Sequence, residues 1–227
     1  MLLLFGCEGR MPERREVGLT MGVRRDQRGA VAVEAALVTP ILMLMLFGIV
    51  EMSLLMRDVV SISSSVRAGS RVASAAAAGG PCNTTCTPNT APVVGQAAAS
   101  AIERAGATLP DDALKWMMVY QDNGNGFPLG QTDVTTASGA PACGANCVVY
   151  TWDPTTNKFK YSSGTWNTTT QVNACVNDAG RHSVGIAVRI RHSWVTGLFG
   201  SGVDLTERSV MQFEPLPNET CLPGQHN

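Results

Sequence analysis

The sequence predicts an α+β fold, with one long N-terminal helix lying on an antiparallel sheet; the first half of that helix is apolar enough to cross a membrane. Three observations carry this. Residues 30–56 form an almost uncharged run rich in aliphatic residues and Met. A stretch of small residues follows and keeps a helical spacing as far as Gly79-Gly80-Pro81. The second half of the chain breaks into short β-branched and aromatic segments separated by turn residues.

From Ala30 to Met56 only Glu34 and Glu51 are charged. As a helix this run would be about 40 Å long, against about 30 Å for a hydrocarbon core. Pro40 inside it reads as a bend, which membrane helices tolerate. Arg24, Arg25 and Arg28 precede the run, and basic flanks favour the cytoplasmic side, whereas Arg57 beyond it is followed by Asp58. The N-terminus is therefore expected inside and the bulk of the chain outside. A buried core helix fits poorly, because the run is apolar on every side. A cleaved secretory signal is the alternative, since "SSVRAGSRVASAAAAGG" contains small-residue cleavage patterns.

Past Met56, Val59, Ile62, Val66 and Ala73 keep to one helical face, so the helix is expected to continue to about Ala78. Glycine and then proline stop it at Gly79-Gly80-Pro81. The expected organisation is a cytoplasmic leader over 1–29, a transmembrane helix over 30–56, its extension over 57–80 and an exported α+β domain over 81–227. Within the leader, "MGVRRDQRG" from Met21 is compact and basic, so Met21 is the expected true start, which also disposes of the solitary Cys7.

The exported part begins with a second helix over 93–107, "VVGQAAASAIERAGA". Strands are expected at "LKWMMVYQ", "CVVYTWD", "KFKYSS", "SVGIAVRIRHSW" and "VDLTERSVMQF". In the fourth, Val184, Ile186, Val188 and Ile190 alternate with Gly185, Ala187, Arg189 and Arg191, the pattern of a strand with one buried face. "WDPTTNKFKY" reads as a hairpin opened by Asp-Pro.

The chain has 227 residues, with 17 Lys and Arg against 18 Asp and Glu. Charge this scarce and balanced argues against a nucleic-acid partner. Six of the seven cysteines, Cys82, Cys86, Cys143, Cys147, Cys175 and Cys221, follow the apolar run. An even set on one side of a membrane segment fits an oxidising compartment. Local pairs Cys82–Cys86 and Cys143–Cys147 are plausible, leaving Cys175 with Cys221. Two Cys-x3-Cys pairs could instead bind zinc, but no His is near either in sequence, and the compartment favours disulfides.

The central question is Glu34, a carboxylate five residues after Gly29 at the start of the apolar run. Near the cytoplasmic edge it could snorkel harmlessly. The string "QRGAVAVEAALVTPILMLMLFGIVEM", however, resembles the N-terminus of TadE-like proteins, minor pseudopilins of tight-adherence (Flp-type) pilus systems. "SISSSVRAGSRVASAAA" is similar to that family's helix after the membrane, and "LFGSGVDLTERSVMQFEP" to the closing strand region of larger members. The resemblance implies a pilin-like fold and a prepilin peptidase that cuts after Gly29. Ala30 then becomes the mature N-terminus and Glu34 the fifth residue. Cleavage would create an ammonium group at Ala30, and pairing it with a Glu34 carboxylate of an adjacent subunit would offset the desolvation of both. The implied partners are prepilin peptidase, other pilins or pseudopilins and inner-membrane lipid. The implied location is the bacterial inner membrane, single-pass, with the C-terminal domain exported and entry into the pilus possible. Ala35 stands where family members often have an aromatic, and the major pilins carry Glu-Tyr and are shorter. Both departures point to an accessory subunit.

No catalytic constellation is legible, and neither an enzyme nor a cofactor is expected. His182, His192 and His226 are widely separated, and His192 reads as a surface residue. "DNGNG" from Asp122 lacks the ligands and closing Glu of a calcium loop and reads as a turn. "LFGSG" is too short for a phosphate cradle. The Asn83 and Asn167 triplets match glycosylation sequons, normally unused in a bacterium. Trp116, Trp152, Trp166 and Trp194 could form a ligand platform but are more often core residues. Three readings follow: a TadE-like pseudopilin, a membrane-anchored binding module or adhesin without processing, and a secreted enzyme cut near residue 79.

Overall fold

Helix α1 (Gln27–Ser74) runs through Pro40 without a break. The computed structural model describes residues 27–79, 92–106, 109–134, 139–176, 178–197 and 199–217. The chain divides into two units, residues 1–45 and 46–227. In the first, the described part is helix alone, and its apolar side chains Val31, Leu37, Ile41 and Leu44 are exposed. Gly29–Ser74 is long and apolar enough to cross a membrane.

In the second unit α1 turns one face to the core. Glu51, Asp58, Ile62, Ser65, Val66, Gly69, Ser70, Ala73 and Ala77 are buried at close to helical spacing. Apart from Ile62 and Val66, that face is polar or small for a physical reason. A Cβ on Gly69 would lie 2.7 Å from Ile102 Cγ1 and 3.2 Å from Ile186 Cδ1, so glycine lets the helix backbone approach its neighbours. The buried serines satisfy themselves on the helix. Ser65 Oγ donates to Ser61 O at 2.8 Å, and Ser70 Oγ to Val66 O at 2.9 Å.

The helix ends at Ser74, earlier than expected, and a turn carries Ala75–Ala78. The Ser74 carbonyl accepts the Glu214 N–H at 2.9 Å, and short-range bonds from Ala76 to Ala73 and from Gly79 to Ala76 tighten the exit. Helix α2 (Val93–Ala105) ends at Gly106, whose N–H donates to Ile102 O. Gly95 brings α2 against Tyr150, whose hydroxyl would lie 2.5 Å from an added Cβ.

The sheet has five antiparallel strands: β1 (Leu114–Gln121), β2 (Cys147–Asp153), β3 (Lys158–Thr165), β4 (Ser183–His192) and β5 (Val203–Gln212). Their order is β3-β2-β1-β4-β5, so two hairpins flank a central β1. The five expected strands and the Asp-Pro hairpin are all present. A one-turn helix α3 (Thr168–Gln171), which carries no sequence signal used above, follows β3. The α+β arrangement, a long N-terminal helix on an antiparallel sheet, is the one expected.

Period-2 alternation sorts the two faces. Met117, Val119, Val148, Tyr150, Val184, Ile186, Val188 and Ile190 join the helices in the main core. The opposite face gathers Trp116, Met118, Tyr120, Val149 and Ala187 under a connecting segment that supplies Phe127, Val134 and Ala140. The expectation of one buried face for β4 therefore holds only toward its end, where Arg189 and Arg191 are half-buried, because Gly185 and Ala187 are buried on the opposite face; β1 is covered on both faces, with seven of eight residues buried.

Candidate assembly helix and its seat on the sheet

The processing and assembly residues inferred from sequence lie at the start of α1. An added Cβ at Gly29 would meet nothing within 4 Å. Ala30 and Glu34 are exposed, and among the described residues Glu34 has no hydrogen-bond or ion-pair partner. The neighbouring Val31, Val33, Leu37 and Val38 are exposed too, so this segment presents an apolar surface on every side with one carboxylate in it.

Two further acids on α1, Glu51 and Asp58, to which the sequence assigned no role, fasten the helix to β4 and the segment after it. Glu51 has no accessible surface. Its carboxylate accepts the Thr196 N–H at 2.6 Å, the Thr196 hydroxyl at 2.7 Å and the Val195 N–H at 3.2 Å. The segment after β4 therefore folds down onto the helix and supplies what water would otherwise supply. Seven residues on, Asp58 Oδ2 lies 2.7 Å from His192 Nδ1, with both side chains buried. His192 is thus a core residue rather than the surface residue expected: the last residue of β4 points at the helix and finds a carboxylate there. Trp194 packs edge-on to His192 at 4.8 Å between ring centroids and contacts Phe199 at 5.5 Å. A spacing of seven places both acids on one helix face, and that signal was legible. Their partners, more than 130 residues away, were not.

Elsewhere polar groups serve the fold. Asp122, in "DNGNG", accepts the Gly124 and Gly126 N–H groups, which makes the segment a turn. Arg208 lies over the Phe127 ring at 3.9 Å, and the Tyr120 hydroxyl donates to Gly126 O, so this turn is pinned to the sheet. Burial pushes Tyr120 up to about 12. Trp116 and Trp166 are buried in the core, so the four tryptophans form no common platform. A cleft of about 350 Å³ on the outer sheet face is lined by Lys115, Trp116, Thr151, Arg189, Arg191 and Asp204. Arg189 donates to Asp204 at 2.8 Å, and this bond holds the Asp204 carboxyl below the usual range.

Cys143 and Cys147 form a disulfide, which excludes that pair as zinc ligands, and Cys175 is disulfide-bonded as well. Cys7, Cys82, Cys86, Cys221, Met21, Asn83 and His226 lie outside the described residues.

Residues 29–71 match the model of a protein family described as TadE-like protein. Neither a curated protein nor a solved structure matches the chain.

Proposed function

We propose that this chain, TadE-like over residues 29–71, is a minor pseudopilin, a structural component in assembling a tight-adherence pilus. The TadE-like match marks it as a pilus-associated component; the finer role rests on the start of α1. There an apolar helix exposes Glu34 five residues after Gly29, with no internal partner among the described residues. A prepilin peptidase cuts after Gly29, and the ammonium group freed at Ala30 pairs with Glu34 of a neighbouring subunit. Each charge is costly alone in a low-dielectric setting, whereas together they fix the axial register between packed helices. The other partners are pilins or pseudopilins and inner-membrane lipid, with the second unit exported. The protein acts by helix packing and domain contacts, without catalysis.

The helix extension speaks against cleavage near residue 79. Gly69, Ser70, Ala73 and Ala77 belong to the buried seat of the sheet, so removing them would open the core. The test is the N-terminal mass of the mature protein. Ala30 as first residue is expected. Met1 or Met21 retained in cells with normal pili would overturn the reading in favour of an anchored module.

A further inference from the structure

We infer that the β4–β5 connection, through Trp194, Val195 and Phe199, seats the exported unit in the outer interfacial layer of the bilayer that α1 crosses. The inference rests on the membrane-spanning reading of α1 and goes beyond it.

Three observations carry it. First, the segment from Ser193 to Gly202 contains no charged residue, yet Val195 is 74% exposed and Phe199 54% exposed. Large apolar side chains displayed on an uncharged loop suit a lipid boundary better than water. Second, the segment is not free to retract. Glu51 holds the backbone N–H groups of Val195 and Thr196, and Asp58 holds His192, on whose ring Trp194 packs. Third, the level is right. At 1.5 Å per residue, the helix from Ala30 to Glu51 is about 31 Å long, the thickness of a hydrocarbon core. With Ala30 at the inner boundary, Glu51 falls at the outer one, where Trp side chains concentrate.

The arrangement also accounts for a second carboxylate in the apolar run. At the lipid boundary an unsatisfied Glu51 would be costly. The loop's two amides and one hydroxyl satisfy it, and the same bonds hold the loop beside Glu51, next to the exposed Met52.

The occupant of this surface is the lipid interface, and photolabelling tests it. The full chain is reconstituted in phosphatidylethanolamine–phosphatidylglycerol nanodiscs containing a phospholipid with a diazirine near the glycerol end of one acyl chain. After irradiation, adducts are mapped by peptide mass spectrometry. Peptides over 46–56 and 194–199 should both carry lipid, each about fivefold or more above the exposed polar turn at 154–157, as interfacial burial requires. A Val195→Glu, Phe199→Glu variant should lose the 194–199 adducts and keep those at 46–56. Labelling at 46–56 with only turn-level labelling at 194–199 would overturn the inference while leaving the span intact. So would cross-links from 194–199 to a second protein chain in place of lipid. Absence of adducts at both sites would overturn the span and the inference together.

Discussion

Replacing Asp58 by alanine should loosen the helix from the sheet at one identifiable point. The Asp58 and His192 side chains are 8% and 4% exposed, and their polar atoms lie 2.7 Å apart. A hydrogen bond to a charged group contributes about 1.5–3 kcal/mol, and here little solvent is present to replace the lost partner. At about 2–4 °C per kcal/mol for a domain of this size, a loss near 2 kcal/mol should lower the thermal midpoint by about 4–8 °C. The assay is a double-mutant cycle on detergent-solubilised protein with Asp58→Ala, His192→Phe and the pair, read by denaturant unfolding. Phenylalanine keeps the edge contact with Trp194 and removes both ring nitrogens. The two changes should couple by about 1.5–3 kcal/mol, and a coupling below about 0.5 kcal/mol would refute the pin.

Other sites give independent checks. Gly69→Leu should cost about 1–3 kcal/mol through overpacking against Ile102, whereas Gly69→Ala should cost less because alanine restores about 1 kcal/mol of helix propensity; unfolding midpoints separate the two. Gly185→Ala should expel the Tyr120 ring, whose Cζ would lie 2.4 Å from the new methyl, at about 3 kcal/mol or more, and Tyr120→Ala added to it should then cost little. Burial lowers the His182 pKa, and its Nδ1 accepts the Asn173 N–H. The unfolded chain therefore takes up that proton first, so this contribution to stability is complete above about pH 6.5 and is lost as pH falls below it. A His182→Gln variant should flatten the fall in denaturant midpoint between neutral and mildly acidic pH. Glu51→Gln should speed amide hydrogen exchange at Val195 and Thr196, since a carboxamide offers one acceptor oxygen where the carboxylate offers two.

Much of this fold was legible because its signals are local. Val184, Ile186, Val188 and Ile190 announce β4 by alternation alone, and Asp153-Pro154 announces a hairpin through the chemistry of two residues. What escaped is carried by partners distant in sequence. Nothing near His192 shows that Asp58 waits across the core, so a polar residue beside Arg191 reads as exposed. The doubled burial of β1 escaped for the same reason, since its second cover comes from Phe127, Val134 and Ala140, which belong to no helix or strand. The small residues of 68–78 illustrate an ambiguity of composition. Their pattern fits a cleavage site as well as a close helix-to-sheet approach, and only the position of Ile102 decides between them. Gly29 and Glu34 are the reverse case, because the roles proposed for them rest on sequence spacing and the partner proposed for Glu34 is another subunit.

The strand order leaves β5 paired with another strand on one side only within the described sheet, and α1 reaches it at one point, where Ser70 Oγ donates to the Ser209 carbonyl at 3.3 Å. An edge strand is a template for edge-to-edge pairing between copies. Asp204, Glu207 and Arg208 stud β5 with charge on both faces, which penalises such pairing.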